Sequence, residues 1–403
     1  MKHTSPSFDK LMAIPPETFM ERHFERFYFL SRGEQNSERA GHCRDLFSFD
    51  DVDQILSVPG PRFQGFIQMS KGGHPISADE YSAPKQGGLA TFDTEAILEL
   101  YASGGTITLN QAHQCNERLA VFCAELAGVF CAPIAANVYI TPPNSQGFAV
   151  HADTHDVILL QSEGRKRWKL QKELEFLATP RSPNVCSDPM GTGMWDEFVL
   201  EAGDALYIPR GLLHEGTTES SHSLHITIGI YPYTWADMAH EALAMAESTD
   251  ALLRRSVISA SPATVDDDAN ELLARLSPHL KALATREPRV PTHQASLHRG
   301  RFRALVEPLP ISLTTAVRIA NRADAQLERC SSEVVLHSDA KMIAFPSYVS
   351  PSLEILLHAD VITGQDLAPN LDDEGRLTLL RRLHKEGVLE LGVKDGPAQL
   401  RTR

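Results

Sequence analysis

The chain has 403 residues and a formal net charge of −14, with 42% hydrophobic and 22% charged residues. This length exceeds one typical domain of about 150 residues, so two or three domains are expected, and the composition excludes a disordered chain. The acidic balance argues against a protein that wraps nucleic acid, because phosphate binding needs clustered Lys and Arg.

The N-terminal part predicts short helices and exposed loops. Apolar residues of Glu17–Leu30 recur at three- and four-residue steps, which predicts a helix, and Gly- and Pro-rich residues 71–88 predict an exposed loop. The first ten residues lack the apolar core of a secretory signal. Leu119–Ile140 is the most membrane-like stretch, but Glu125 and Pro133 interrupt it, so we predict a buried helix followed by a buried strand.

From about residue 90 to 232, short β-runs alternate with turns, which is typical of a sandwich or barrel-like double sheet. The candidate strands are 135–142, 155–162, 165–171, 197–209 and 223–233. Ser162-Glu163-Gly164 predicts a hairpin turn between two of these strands.

After Tyr233 the pattern becomes helical, with candidate helices at 234–247 and 269–284 and, between them, a loop over 259–269 that leads into the second helix. Pro288 and Pro291 indicate a linker. From about 300 onward, strands alternate with two short helices, which suggests a winged-helix-like unit. Residues 301–403 contain 13 Lys/Arg and 14 Asp/Glu, a balance that favours a structural or protein-contact role over DNA binding.

The six cysteines form no CxxC pair and no disulfide framework, so we expect a reducing cytoplasm. Cys115, Cys123 and Cys131 repeat every eight residues, a spacing that allows metal binding. We interpret them instead as small buried hydrophobes on a helix and the next strand.

The densest chemical signal begins at His151-Ala152-Asp153. Residues i and i+2 of an extended backbone point the same way, so this imidazole and carboxylate converge on one point. One further histidine would complete the two-His, one-carboxylate triad of non-heme Fe(II) oxygenases, which leaves coordination positions open.

Residues 203–216 offer that histidine. The spacing G-x5-P-x-G-x2-H resembles the second cupin motif: Pro209 ends a strand, Gly211 permits a tight bend, and His214 follows. We therefore predict His151, Asp153 and His214 as metal ligands. The alternative is a set of unrelated surface and core residues.

The candidate strand after Gly164 carries a row of cations. Strand alternation places Lys166, Trp168 and Leu170 on one face, and because the last two favour the interior, Lys166 must enter it too. A buried Lys needs an anion, for which a dicarboxylate is a candidate; a Lys that reaches the rim or pairs with a protein carboxylate is the alternative. The other face carries Arg165, Arg167 and Lys169, and it is either solvated or a groove for an acidic or backbone-rich substrate.

These motifs resemble the JmjC/cupin-like core of the ribosomal oxygenase family. The resemblance rests on NVYITPPNSQGFAVHADTHDVILLQSEGRKRWKL (137–170) and GDALYIPRGLLHEG (203–216). It implies a mostly β core, a double-stranded β-helix of the cupin type, with a helical dimerisation region and a winged-helix-like C-terminal domain. The implied domains are 1–232 (core about 90–232), 233–295 and 296–403.

The resemblance also implies roles for individual residues. Lys166 would pair with the distal carboxylate of 2-oxoglutarate, Tyr139 and Thr227 would hydrogen-bond it, and Asn137 would line the pocket. The arginine-hydroxylating members have Arg at the position of Lys166, whereas histidine-directed members tend to have a substrate-binding Ser where this chain has Gly229. The target side chain therefore stays open between His and Arg.

The function expected is that of an Fe(II)- and 2-oxoglutarate-dependent dioxygenase that uses O2 to hydroxylate a protein or peptide side chain, with a ribosomal protein as the leading target and a homodimer as the assembly. The alternatives are an oxygenase of a ribosomally made peptide natural product, a non-oxidative metal-binding cupin, and a non-catalytic interaction protein. We expect His155 to line the pocket, and His222 and His225 to make structural hydrogen bonds.

Overall fold

The computed structural model describes residues 6–33, 37–58, 65–86, 89–182, 194–256, 265–285, 311–320, 325–330, 332–338 and 341–391. The chain divides into two compact units, one of Met1–Ile230 with Val290–Arg403 and one of Tyr231–Arg289. The domain boundaries given above stay predictions.

The described strands are, in chain order, β1 (Phe29–Ser31), β2 (Ile67–Lys71), β3 (His74–Pro75), β4 (Ser82–Gln86), β5 (Leu89–Phe92), β6 (Thr106–Leu109), β7 (Ile134–Thr141), β8 (Asp156–Gln171), β9 (Trp195–Glu201), β10 (Ala205–Ile208), β11 (His214–Thr217), β12 (Ser223–Ile230), β13 (Val317–Ile319), β14 (Gln326–Arg329), β15 (Glu333–Ser338), β16 (Lys341–Pro346) and β17 (Leu389–Leu391). The described α-helices are α1 (Pro6–Met12), α2 (Pro16–Arg22), α3 (Ser37–Leu46), α4 (Phe49–Ser57), α5 (Thr94–Ala102), α6 (Glu117–Phe130), α7 (Trp235–Thr249), α8 (Val265–Ala284), α9 (Ser350–His358) and α10 (Asp373–Glu386).

An antiparallel sheet of ten strands dominates the first unit and confirms the predicted mostly β core. Its order is β1-β10-β8-β12-β7-β6-β2-β3, with β9 and β11 added on β8. The 16-residue β8 serves two layers, because its first half pairs with β10 and β12 while its second half pairs with β9 and β11. One long strand thus joins the two layers of the barrel.

The hairpin predicted at Ser162–Gly164 is wrong. The register with β12 shifts there, so that Glu163 faces Leu224 whereas Gln161 faces His225, which is a β-bulge inside a continuous strand. Gly164 has φ +67°, and a Cβ on it would lie 1.9 Å from the carbonyl oxygen of His222. The glycine therefore bends β8 from one layer to the other instead of reversing the chain.

Alternate residues of β8 belong to two cores. Ile158 and Leu160 pack into the large core that the N-terminal helices cover, whereas Val157 and Leu159 pack with Trp168 inside the barrel. This alternation follows from the two-residue period of a strand that is covered on both faces.

The apolar stretch Leu119–Ile140 forms a buried helix and then a buried strand, as predicted. Asn116 caps α6 by accepting a hydrogen bond from the amide of Leu119 at 3.1 Å. The buried side chains of α6 recur at three- and four-residue spacing, which is one face of a helix: Leu119, Phe122, Cys123, Leu126 and Ala127. Among the described helices, none is long and apolar enough to cross a membrane.

Two N-terminal predictions need correction. The helix predicted over 17–30 ends at Arg22; Glu25 has φ +59°, and β1 then pairs with β10. Sheet pairing thus overrides the helical periodicity. Residues 71–82 are mostly exposed, as expected, apart from the buried Tyr81, and the segment contains β3 and β4; residues 87–88 lie outside the described part.

The second unit contains α7 and α8, which confirms the two predicted helices. Thr234 accepts a hydrogen bond from the amide of Asp237 and so caps α7. Arg275 of α8 bonds Asp250, which follows α7. Helix α8 begins four residues earlier than predicted, and most of the predicted loop and both linker prolines lie outside the described residues.

The C-terminal segment has its own apolar cluster. Strands β14, β15 and β16 form an antiparallel meander, β13 pairs with β17, and α9 and α10 pack into the same cluster. The winged-helix part of the predicted fold stays a prediction. The five described cysteines are free thiols, and Cys186 lies outside the described residues. Of the three evenly spaced cysteines, Cys123 is buried on α6 as predicted, whereas Cys115 is exposed and Cys131 is half-buried at the end of α6 rather than on β7.

Candidate metal centre

The three predicted metal ligands come together at one end of the barrel. The backbones of His151 and His214 form an antiparallel bridge, with N–H to O distances of 3.1 and 2.8 Å. One ligand atom each of His151, Asp153 and His214 lies within 4.8 Å of the others. Side chains distant in sequence thus share one point because the backbone at His151 bridges to His214, the first residue of β11.

Hydrogen bonds orient both imidazole rings. Nδ1 of His151 donates to the carbonyl of Ala149 at 2.8 Å, and Nδ1 of His214 donates to the carbonyl of Leu212 at 3.0 Å. Each ring therefore has Nε2 left for a metal, the arrangement that fixes the tautomer of a histidine ligand. Burial, and then the charge of His151, lower the pKa of His214 to about 4, so its ring is the neutral form that metals bind.

Gly211, in the loop between β10 and β11, fixes this loop against the loop that carries Asp153. Its amide donates to the carbonyl of Asp153 at 2.9 Å. Its φ is +91°, and a Cβ there would lie 2.1 Å from the carbonyl oxygen of Phe176. The tight bend predicted at Gly211 is therefore confirmed, and only glycine fits it.

A cavity of about 180 Å³ adjoins the triad. All four residues predicted to bind the co-substrate line it, namely Asn137, Tyr139, Lys166 and Thr227. Asn137 stands opposite Thr227 on the neighbouring strands β7 and β12, which explains how two separate motifs reach one wall. Their roles stay predictions.

Lys166 enters the interior, as its strand parity predicts. The side chain is 5% exposed, and its Nζ lies 5.3 Å from the centre of the Trp168 ring. Burial lowers the pKa of Lys166 to about 7. Within the described part of the chain no carboxylate forms an ion pair with it; its hydrogen bond goes to the hydroxyl of Thr141 at 3.2 Å. A buried cation without an anionic partner is costly, and a bound anion would relieve that cost.

The outward cations of the same strand are paired. Arg167 bonds Glu197 and Glu219, and Lys169 lies 3.9 Å from Glu215. Of the two interpretations left open above, the ion pairs favour a solvated, ion-paired face over a groove for an acidic or backbone-rich substrate.

Sequence reasoning missed several residues of the cavity wall. Phe148 lies 5.8 Å from the His151 ring and is 40% exposed, so it stands at the mouth. Gly216 faces Trp168 across β8 and β11, and a Cβ on it would lie 2.9 Å from Cε of Lys166. Gly216 could have been predicted to line the cavity, because it follows the predicted ligand His214 by two residues and therefore lies on the same face of the strand.

The other histidines divide by environment. His155 lines the cavity outside the ligand set, and His222 bonds the Tyr101 hydroxyl at 2.9 Å, both as expected. His225 is stacked on Tyr139 at 5.0 Å and is 2% exposed, but its Nδ1 has no hydrogen-bond partner among the described residues. The structural hydrogen bond expected of His225 is thus not observed at Nδ1.

A buried ion network supports the turn that carries His214. Asp156 is fully buried and accepts hydrogen bonds from the Tyr207 hydroxyl at 2.6 Å and from Arg210 at 2.7 Å. Arg210 also bonds Glu25 at 2.5 Å. Removing one member would leave an uncompensated buried charge, so these residues fix the backbone next to the site.

The comparisons with known proteins agree with this architecture. Residues 108–238 match the model of the JmjC domain. The NO66 bifunctional lysine-specific demethylase and histidyl-hydroxylase of Drosophila mojavensis is 33% identical over 231 residues, 55% of this chain and 24% of the fly protein. Human ribosomal oxygenase 1 is 34% identical over 245 residues, 59% of this chain and 36% of the human protein.

A solved structure shares the fold over most of the chain. The X-ray structure of E. coli ycfD covers 94% of this chain and 98% of its own, with a TM-score of 0.53 and 17% identity. The aligned region spans less than two fifths of the length of either curated relative. The predicted resemblance is confirmed: residues 108–238 match the JmjC-domain model, and the chain is similar in sequence to proteins named ribosomal oxygenase.

Proposed function

We propose that this chain is an Fe(II)- and 2-oxoglutarate-dependent oxygenase that hydroxylates a side chain of a protein or peptide. The observation that carries the proposal is the pairing of two features on one cavity: the His151–Asp153–His214 cluster and the buried, anion-free Lys166. A metal and a dicarboxylate co-substrate need these two groups together.

The donor set fits ferrous iron. Two imidazoles and one carboxylate would hold the ion through Nε2 of each histidine and an oxygen of Asp153. Bound Fe(II), with 2-oxoglutarate and O2, would supply the oxidation that inserts one oxygen atom into a C–H bond while the keto acid is decarboxylated to succinate. The other contribution of the protein is to fix the ligand geometry and to position one C–H bond.

The opposite wall fits the distal carboxylate of 2-oxoglutarate. Lys166 would supply the positive charge, and the Tyr139 and Thr227 side chains would add hydrogen bonds from β7 and β12. Asn137 would line the pocket; its Oδ1 accepts a hydrogen bond from the Gln111 amide at 2.8 Å, which fixes its orientation. Trp168 and Leu159 exclude water from the same wall.

The relatives support a protein substrate. The fly protein is named a histidyl-hydroxylase and the human protein a ribosomal oxygenase. We therefore propose His or Arg of a ribosomal protein as the leading target. Histidine-directed members tend to have Ser where this chain has Gly229, so both His and Arg stay candidate target side chains. A structure of E. coli YcfD contains cobalt and succinic acid, which supports the metal and co-substrate sites rather than the choice of substrate.

Anaerobic titration tests the proposed function. Adding Fe(II) and then 2-oxoglutarate should produce a metal-to-ligand charge-transfer band, and Lys166→Met should remove it at the same ligand concentration. His151→Ala and His214→Ala should each lose substrate-independent succinate release. Absence of the band in the wild type, or full activity in either His variant, would contradict the proposal.

Mass spectrometry tests the substrate. Host proteomes with and without the gene should differ by the mass of one oxygen atom on His or Arg of a ribosomal protein. A modification on a ribosomally made peptide natural product would instead support that alternative.

We also propose that the helical unit forms a homodimer, and a cytoplasmic location stays a prediction. Exposed apolar side chains of α7 and α8 support the dimer, with Leu243, Leu273 and Trp235 at 43%, 64% and 79% exposure. Analytical ultracentrifugation should give twice the chain mass for the wild type and the chain mass for Leu273→Glu; a wild-type monomer would exclude the dimer.

A further inference from the structure

Two threonine hydroxyls that were not among the predicted site residues lie next to the buried end of Lys166. Thr141 ends β7 and Thr106 begins β6, and both are fully buried. The Thr106 hydroxyl donates to Oγ1 of Thr141 at 3.3 Å, and Nζ of Lys166 donates to the same oxygen at 3.2 Å. One threonine oxygen therefore receives a hydrogen bond from a neighbouring strand and from the buried ammonium.

The hydrogen-bond inventory of Lys166 shows what this contact achieves. An ammonium has three N–H donors, and Thr141 accepts one of them. In the described part of the chain, the remaining donors have no hydrogen-bond acceptor. Because Thr141 holds one N–H of the long, flexible Lys166 side chain, the directions of the other two N–H groups are restricted. These two groups are available to an anion in the cavity.

The surrounding chain fixes Thr141 itself. Pro142 follows it, and the carbonyl of Pro142 accepts a hydrogen bond from Thr218 at 2.5 Å. Gly147 lets the loop toward the metal ligands pass close to Thr106, because a Cβ there would lie 3.0 Å from the Thr106 hydroxyl oxygen. The hydroxyl pair is thus part of a rigid, dry wall rather than a mobile surface contact.

We propose that Thr141, supported by Thr106, is a positioning residue that fixes the Lys166 ammonium for the distal carboxylate of the co-substrate. The inference rests on the proposed function for the identity of the anion, but the hydroxyl–ammonium contact is independent of it. Thr141 does not touch the cavity, so it acts through Lys166.

Binding measurements test the co-substrate part. In anaerobic calorimetry with Fe(II)-loaded protein, Thr141→Val should weaken 2-oxoglutarate binding about 10-fold, the range expected for one hydrogen bond to a charged group. Thr141→Ser keeps the hydroxyl and should stay within about threefold of the wild type. Thr106→Val should have a smaller effect than Thr141→Val, because it loosens the acceptor without removing it.

Thr108→Val is the matched control. Thr108 lies on the same strand as Thr106 and is buried, but its hydroxyl has no hydrogen-bond partner among the described residues. Its loss should leave 2-oxoglutarate affinity within about twofold. Equal weakening by Thr108→Val and Thr141→Val would overturn the proposal, since it would show a general packing effect.

A double-mutant cycle in metal-free, ligand-free protein tests the contact without any cofactor. Thr141→Val should lower the melting temperature when Lys166 is present, because the buried ammonium loses its acceptor. In the Lys166→Met background the same change should have no effect or raise the melting temperature. Additive effects would overturn the proposal. A wild type that shows this coupling but does not bind 2-oxoglutarate would refute the proposed function and leave the contact established.

Discussion

The two faces of strand β8 carry positive charges in different environments: the outward cations form ion pairs at the surface, whereas the inward lysine is buried. The outward side chains of β8, such as Arg167 and Lys169, meet glutamates in solvent. Lys166 directly precedes Arg167 in sequence, but it faces the barrel interior and has a hydroxyl, not a carboxylate, as its partner. The same residue class thus serves a surface ion network or a candidate anion site according to strand parity alone.

The difference is one of desolvation. Exposed ion pairs are screened by water and contribute little to stability, whereas a buried cation without an anion destabilises the ligand-free protein. A bound carboxylate removes this destabilisation. The inward lysine should therefore lower the stability of the ligand-free protein and raise its affinity for a carboxylate ligand. Each prediction below is a way to break or sharpen this contrast.

The largest expected effect is on affinity. Lys166→Met should weaken 2-oxoglutarate binding by about 100-fold, because the distal carboxylate loses its charged partner inside a dry wall. Arg167→Met, on the adjacent outward position, should stay within about twofold. Anaerobic calorimetry with the Fe(II)-loaded proteins measures both, and equal losses would show that the two faces do not differ.

Stability should change in the opposite sense. In ligand-free protein at neutral pH, Lys166→Met should raise the free energy of unfolding by about 2 kcal/mol, since a well-packed apolar side chain replaces a buried amine that has a hydroxyl but no carboxylate as its partner. Urea unfolding with and without saturating 2-oxoglutarate measures the change. A destabilised Lys166→Met protein would show that the Thr141 hydroxyl already compensates the burial of the amine, and it would contradict the contrast between the two faces.

The pH dependence carries the same signature. The pKa of Lys166 is about 7 in the folded protein and near 10.5 when unfolded, so between these values the unfolded chain holds the extra proton. The stability of the ligand-free wild type relative to Lys166→Met should therefore rise with pH across this window, by at most about 1.4 kcal/mol per pH unit. A difference that is flat from pH 7 to 10.5 would contradict the desolvated Lys166.

A smaller effect is expected from the glycine that makes room for the lysine. Gly216→Ala places a Cβ 2.9 Å from Cε of Lys166 and should weaken 2-oxoglutarate binding about fivefold by displacing the ammonium. Gly128→Ala on α6, where a Cβ meets nothing within 4 Å, is the matched control and should leave binding unchanged. Identical affinities for the two variants would show that the Lys166 side chain adapts freely.

Sequence periodicity and short motifs were informative where the interaction is local. The inward parity of Lys166 and the bend at Gly211 were predictable because each depends on a few neighbouring residues. The convergence of His151 and His214 was predictable through motif spacing, although the backbone bridge between them was not.

Non-local pairing defeated the same reasoning elsewhere. Ser162–Gly164 has the composition of a hairpin, yet β12 and the β11 layer hold it inside one strand. Glu17–Leu30 has helical periodicity, yet Phe29–Ser31 joins β10. In both cases the competing structure gains hydrogen bonds from residues far along the chain, which no local pattern records.

By itself the sequence determined the mostly β core, the residue types of the metal cluster and the face on which Lys166 lies, because these follow from alternation and from motif spacing. Only the tertiary structure decided which side chains complete the wall. Thr141 became the acceptor of Lys166 because β7 and β8 both flank β12, and Gly216 became the space for its side chain because β11 pairs with the far half of β8. Contacts of this kind depend on which strands become neighbours, and that is settled by packing of the whole barrel.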